Sequence, residues 1–212
     1  MRATTVLDLG CGTGSLTVTL AEGGRTVTGI DPDRAMLDVA RRRPGAGGVT
    51  WVEGDSRAIG DARADLVVMS GNVAQHVVGA AWPRTLADVR TGLRPGGVLA
   101  FESRNPDARE WLAWDREHTL GTRDTPDGPL TEWLDVVDVT DAGEVTFEAH
   151  NVFAATGERL VVRQTLAFRT RAQLEADLAA AGLHVRAVHG GWRGEPVRAD
   201  ARLLVVEAAR PR

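Results

Sequence analysis

Short apolar runs alternate with amphipathic stretches through the first half of the chain, and this alternation predicts a parallel α/β sheet with right-handed crossovers. Residues 4–9, 26–30, 49–53, 65–70 and 97–103 read as five strands. Helical periodicity fills the gaps: one helix follows Ser15, a second starts near Pro32 and runs to about residue 42, and a third covers 82–93. Proline is tolerated in a first helical turn, so Pro32 fits the start of its helix. At residue 105 the pattern changes. Residues 105–114 read as helical or irregular, and three runs then follow at roughly ten-residue spacing, 130–139, 144–153 and 158–168. Asp141-Ala142-Gly143 and Thr156-Gly157 supply the turns between them, which predicts an antiparallel meander inserted into the α/β pattern. Residues 171–181 return as a helix closed by Gly182, and 183–189 and 203–208 read as strands six and seven.

The first strand carries the most informative chemistry. Val6, Leu7 and Leu9 are a buried-strand pattern, and Asp8-Leu9-Gly10-Cys11-Gly12-Thr13-Gly14 follows with a glycine at every second position. Glycines there permit a tight turn and let a ligand approach the backbone. The free amides of the following helix face the same turn, so this is a nucleotide-type cofactor site at a strand-to-helix switch. The spacing discriminates between cofactors. A dinucleotide fingerprint is G-x-G-x-x-G, but here Gly14 comes one position early and Ser15 holds the fingerprint's third-glycine position.

Ligands of open α/β sheets bind beyond the carboxyl ends of the strands, so the sequence lists the rim. Strand one delivers the glycine loop, and strand two delivers Asp31, followed by Pro32 and Met36. An acidic side chain at Asp31 accepts from ribose hydroxyls through charge-assisted bonds; the plainer reading is a helix cap. Strand three delivers Glu53, Gly54, Asp55 and Ser56, and strand four delivers Ser70, Asn72 and His76. Arg94-Pro95-Gly96-Gly97 is a turn into strand five.

The D-x-G-x-G-x-G pattern of residues 8–14 resembles motif I of class I S-adenosyl-L-methionine (SAM) methyltransferases. With Asp31, the Gly54-Asp55-Ser56 triplet and the 93–97 turn in order, the resemblance extends over nearly the whole chain. It is closest to members acting on small molecules, which carry a β-rich insertion after strand five; Phe101-Glu102-Ser103-Arg104-Asn105-Pro106 and Gly190-Gly191-Trp192 look like recurring segments of one such subgroup. The resemblance implies a Rossmann-like seven-stranded sheet of order 3-2-1-4-5-7-6 with strand seven antiparallel. It implies a SAM-binding domain from 1–104 and 169–212, with 105–168 as an inserted substrate lid. It also implies that Asp55 accepts from the adenine amine, and that Asp8, Gly10, Cys11, Gly12, Gly14, Asp31, Pro32, Met36, Gly54, Asp55, Ser56, Ser70, Asn72 and His76 form the cofactor site. Relatives usually carry one or two helices before strand one, whereas Met1-Arg2-Ala3 alone precede it here. The expectation is a more open cleft, a covering partner, or an N-terminally shortened form.

Composition narrows the chemistry further. All 25 basic residues are arginine and tyrosine is absent, which excludes a lysine nucleophile and a tyrosine base. Cys11 is the single cysteine, so no internal disulfide forms; it reads as a small loop residue, with a reactive thiol as the alternative. A cytoplasmic location fits the absence of a signal pattern and of a long apolar span. The net charge is −4, and residues 105–168 hold thirteen acidic against five basic side chains, a net of −8. An acidic lid repels polyanions, which argues against nucleic acid and leans towards amines or neutral metabolites. No Cys/His cluster has metal-site spacing. Methyl transfer is an in-line displacement governed by positioning and desolvation. His76 is the candidate base, with contact to the cofactor as its other reading, and His118 is a second candidate. Arg104, Asn105, Trp111, Trp114 and Trp192 are candidate acceptor contacts, the tryptophans reading equally as core. The expected function is methyl transfer from SAM to nitrogen or oxygen of a small-molecule acceptor. The alternatives are a SAM-binding protein without catalysis and, behind it, a nucleotide-linked oxidoreductase. An exposed cleft also invites a homodimer.

Overall fold

The computed structural model describes residues 3–198 and 200–212. The leading apolar run forms β1 (Thr5–Leu9), buried over its last four residues. Its start is tied to the adjacent strand: Asp65 accepts from the amides of Thr4 and Thr5 at 2.6 and 2.9 Å and is ion-paired to Arg94. These bonds, the two amides foremost, hold the Asp65 carboxyl far below the usual carboxylate range.

Around β1 lie β2 (Thr26–Asp31), β3 (Val49–Glu53), β4 (Ala64–Met69), β5 (Leu93–Arg104), β10 (His184–His189) and β11 (Leu203–Ala209). They form one sheet of order β3-β2-β1-β4-β5-β11-β10. The first five pair in parallel, and β11 runs antiparallel to both β5 and β10. Counted within this sheet the order is 3-2-1-4-5-7-6 with the seventh strand reversed, as the resemblance implies.

Burial of one helical stripe explains the packing. Helix α4 (Ala81–Gly92) presents Trp82, Leu86 and Val89 at i, i+4 and i+7, all at most 3% exposed. Trp82 meets Phe101 of β5 edge-on, with ring centres 5.8 Å apart. Helix α6 (Arg171–Ala180) is started by a Thr170–Gln173 capping box and buries Leu174 and Leu178. Helices α1 (Ser15–Ala21) and α2 (Arg34–Ala40) pack on β2 and β3. A short α3 (Val73–His76) follows β4.

The inserted region is a separate antiparallel sheet of β6 (Gly121–Thr125), β7 (Gly128–Val139), β8 (Glu144–Phe153) and β9 (Arg159–Ala167). It has one strand more than the hydrophobic pattern predicts. Strand β6 is an edge strand, exposed over four of its five residues, so backbone pairing with β7 suffices and no apolar alternation marks it. Val145, Phe147, Leu166 and Phe168 form the core of this sheet, joined by Trp111 and Trp114 from the connector after β5. Arg169 bolts the two sheets together. It donates to the carbonyls of Ala74 and Val77 at 2.9 and 2.5 Å and lies over the Trp82 ring at 4.2 Å. Burial there lowers its pKa to about 10.

Candidate functional site

The carboxyl ends of β1 to β4 converge on a cleft of about 450 Å3, walled by Gly10, Asp31, Gly54, Asp55, Val73 and His76 among others. The chain enters it through three left-handed glycines, with φ of 74° at Gly10, 52° at Gly12 and 76° at Gly14. Two of them also need to be glycine for space. A Cβ at Gly10 would meet Val73 at 2.5 Å, and one at Gly14 would meet Trp51 at 2.5 Å, whereas nothing stands within 4 Å of Gly12. The Gly12 backbone is thus the open floor of the loop.

Asp31 organises this loop. One carboxylate oxygen accepts from Gly12 N at 2.7 Å and the other from Asp33 N at 2.8 Å. The cap of α2 is Asp33, which accepts from the amides of Ala35 and Met36. Asp31 is therefore not the helix cap; it retains lone pairs and contributes to the cleft wall. Pro32 also lines the wall, and Met36 is 43% exposed on the first turn of α2.

Asp8 lies beneath the loop, 1% exposed, accepting from Thr17 Oγ1 at 2.6 Å through one oxygen while the other has no partner. Desolvation lifts its pKa to about 6; the Thr17 bond opposes this and the Asp31 charge adds to it. The Cys11 thiol is pushed up to about 12 by burial and then by the charges of Asp8 and Asp31. A thiol so disfavoured as thiolate is a poor nucleophile at neutral pH.

Gly54 and Asp55 extend the cleft from β3. Asp55 accepts from the backbone amide and guanidinium of Arg57 and pairs with Arg84 at 3.4 Å. The hydrogen bonds from Arg57 hold its carboxyl below the usual range. Ser56 is buried and donates to Asp88 at 2.7 Å, so its hydroxyl fixes the turn from behind. On the β4 side, Ser70 is half-buried and Asn72 takes up a left-handed φ of 64° as it starts α3. His76 lines the cleft; desolvation and then the Arg104 charge lower its pKa.

The candidate acceptor contacts fall in different surroundings. Arg104 ties the end of β5 to α3 and to the connector after β5: it donates to Gln75 at 3.1 Å, pairs with Glu110 at 3.0 Å and lies 5.4 Å from the Trp114 ring centre. Trp111 and Trp114 pack edge-on to Phe168 and Phe147 at 4.6 and 5.1 Å. Asn105 is 4% exposed and holds the chain, donating to the Ala201 carbonyl and accepting from Asp107 N. Trp192 is half-exposed on the β10–β11 connection. Asp115 caps α5 (Arg116–Thr119) by accepting from His118 N at 2.9 Å, and its carboxylate also bonds the His118 ring at 2.8 Å, which raises the His118 pKa. A second groove of about 800 Å3 runs between connector and sheet, lined by Glu110, Leu112, Trp114, His118 and Arg202 among others.

Reading the sequence missed Glu102 and Gln75. Glu102, at the end of β5, is 4% exposed and accepts from Asn72 N at 2.6 Å; Gln75 is fully buried. The signal for Glu102 was present, because a carboxylate closing an apolar strand is also what marks Asp8 and Asp31. Gln75 carried none, since a polar residue on a four-residue helix has no period to violate.

A largely parallel sheet whose first strand ends in a glycine loop, with a carboxylate from the second strand bonded into that loop, defines a nucleotide-cofactor fold of the Rossmann-like kind. Comparison with known proteins narrows the class. Residues 6–97 match the family described as a methyltransferase domain. Over 208 residues the chain is 29% identical to the cypemycin N-terminal methyltransferase of Streptomyces sp, covering 95% of this chain and 81% of that protein. Several other curated methyltransferases align over about half of this chain and less than half of their own length. Among solved structures, the CcbJ methyltransferase from Streptomyces caelestis superposes with a TM-score of 0.82 at 22% identity, covering 98% of this chain and 84% of that one. SAM-bound CalS10, described as an amino pentose methyltransferase from Micromonospora echinaspora, gives 0.70 at 24% identity, covering 99% and 84%. At such identities these two structures establish the fold. Residues 6–97 are thus similar to a methyltransferase domain, and the solved structures of like fold include one that holds SAM. The residues present fit that group: the open Gly12 backbone and the adjoining Asp31 carboxylate leave room and acceptors for a ribose-bearing cation.

Proposed function

We propose that this protein transfers a methyl group from SAM to nitrogen or oxygen of a small-molecule acceptor held between the sheet rim and the inserted sheet. The carrying observation is the single cleft in which Gly10, Asp31, Gly54, Asp55 and His76 meet. On this reading Asp31 accepts from the ribose hydroxyls, Gly54 and Asp55 receive the adenine, and the 10–14 loop with Ser70 holds the amino-acid end. Arg104, at the end of β5, links α3 on the cleft side to the groove lined by Glu110 and Trp114, and these residues would border the acceptor once SAM is held.

SAM supplies an electrophilic methyl; the chain supplies placement and a dry, shaped environment. His76, whose pKa is lowered by desolvation and by Arg104, is suited to accept a proton or to donate a hydrogen bond in the cleft. The net charge of −8 over residues 105–168 suits an acceptor that is neutral or cationic rather than a polyanion. The relative aligned over most of both chains is named for N-terminal methylation of cypemycin, which supports nitrogen as acceptor.

The test has two stages. Calorimetric titration with SAM and S-adenosylhomocysteine reads the cofactor site, and micromolar binding is expected. A methyl-transfer screen over primary amines and phenols then reads the activity. SAM binding without turnover of any acceptor would favour a non-catalytic binding protein, and absence of binding by folded protein would sink the cofactor assignment.

A further inference from the structure

Among the described residues five buried side-chain polar atoms have no hydrogen-bond partner, and four of them lie on two adjoining segments: Asn72 Oδ1, Gln75 Nε2, Glu102 Oε2 and Ser103 Oγ. Buried polar groups are ordinarily paired, so such a concentration calls for a ligand or a chemical role. These segments are also joined to each other. Glu102 Oε1 accepts from Asn72 N at 2.6 Å, and Arg104, two residues on, donates to Gln75 Oε1 at 3.1 Å. Val73 and His76, neighbours of Asn72 and Gln75 on α3, line the cleft.

The chemistry of the unpaired atoms is specific. Glu102 Oε2 and Asn72 Oδ1 are both acceptors. Arg104 is the cation nearest in sequence, and it is committed to Glu110 and Gln75. A buried carboxylate bonded to the Asn72 N–H, with the Asn72 side-chain oxygen also unpaired, is matched by a group bringing several N–H donors. A hydroxyl brings one hydrogen, whereas a primary ammonium brings three and still has two after losing a proton.

We propose that Glu102 and Asn72 form the acceptor subsite, that it selects a primary amine over a hydroxyl, and that Glu102 takes the amine's proton. This inference rests on the methyl-transfer reading above. The ammonium proton passes to Glu102 Oε2, which frees the nitrogen lone pair. That lone pair attacks the methyl carbon of SAM as the carbon–sulfur bond breaks. The N–C bond forms, the sulfonium becomes a neutral thioether, and the positive charge ends on the methylated nitrogen.

Glu102→Gln keeps the shape and one oxygen for the Asn72 amide, and removes the proton acceptor. Glucosamine, trialanine and tyramine serve as amine probes, with glucose as the hydroxyl counterpart. Wild type is expected to turn over at least one amine and not glucose. E102Q should bind SAM within threefold of wild type and lose about 100-fold or more of kcat at pH 7. Activity should recover towards pH 9.5, where the amine deprotonates unaided; a merely structural role would not produce that recovery. Amine binding to the protein loaded with S-adenosylhomocysteine is read by calorimetry, and E102Q should weaken it at least tenfold.

Asn72→Gly removes the amide oxygen while tolerating the left-handed backbone, and should raise the amine KM at least tenfold; it carries the test if E102Q does not fold. The inference is overturned by E102Q activity within threefold of wild type at pH 7, by a loss equal at every pH, by an unchanged amine KM in Asn72→Gly, by turnover of glucose in preference to the amines, or by no amine binding at all. Wild-type protein that fails to bind SAM overturns the proposed function together with this inference. SAM binding combined with an unaffected E102Q overturns this inference alone.

Discussion

Replacing Asp8 with asparagine should change how stability depends on pH, in a direction opposite to that of most acidic residues. Asp8 is 1% exposed and its pKa is raised from 3.8 to about 6, chiefly by desolvation. The folded state therefore holds the Asp8 proton more tightly than the unfolded state does. Its penalty is absent below pH 3.8, grows as pH rises from 3.8 to about 6, and is constant above that. The shift corresponds to a full penalty of about 3 kcal/mol. Between pH 5 and pH 7.5 the part still developing is about 1.4 kcal/mol. Asparagine keeps the acceptor for Thr17 and carries no charge, so this contribution disappears, while its unpaired amide hydrogens add a cost that does not vary with pH. Urea unfolding of both proteins at pH 5 and pH 7.5 isolates the titrating part as a difference of differences, with the slope m as control for two-state behaviour. Relative to D8N, wild type should lose about 1.4 kcal/mol on going to pH 7.5. An equal or larger wild-type advantage at pH 7.5 would refute the account of Asp8 as a desolvated carboxylate.

Other outcomes follow from the same geometry. Gly10→Ala drives a Cβ to 2.5 Å from Val73 at a φ of 74°, and should cost about 1–3 kcal/mol of stability with a tenfold or greater loss of SAM affinity, read by thermal unfolding and calorimetry. Asp31→Ala leaves the amides of Gly12 and Asp33 without their carboxylate and should weaken SAM binding by about 10- to 100-fold, whereas a change under threefold would remove Asp31 from the cofactor site. Arg104→Ala breaks the link between Gln75, Glu110 and Trp114; acceptor KM should rise about tenfold with the SAM Kd within twofold, so a selective loss of SAM binding would reverse the assignment.

Local pattern and tertiary contact contributed differently to what is known of this chain. The five leading strands, the meander and the glycine loop were legible because each rests on a near-neighbour rule: a buried strand is a run of apolar residues, and a turn with positive φ needs glycine at its own position. The strand order was legible through resemblance, not through the pattern itself. Strand β6 escaped because an exposed edge needs only backbone pairing. The three-dimensional arrangement decided what each polar residue is free to do. Asp31 and Asp33 are two acids in one short segment, and only the fold shows that Asp33 caps α2 while Asp31 reaches the amide of Gly12, nineteen residues back in the chain. Trp111 and Trp114 acquire their ring partners from β8 and the end of the inserted sheet. Glu102 meets Asn72 across thirty residues, and whether a buried carboxylate has a partner is a property of the space around it, which no sequence spacing encodes. The sequence thus determined the strands and the glycine turn, which follow from covalent neighbours, and carried the strand order and the cofactor class through resemblance. Desolvation, pairing and the presence of an unmatched acceptor depend on segments far apart in the chain, so they were settled only when the tertiary structure brought those segments together.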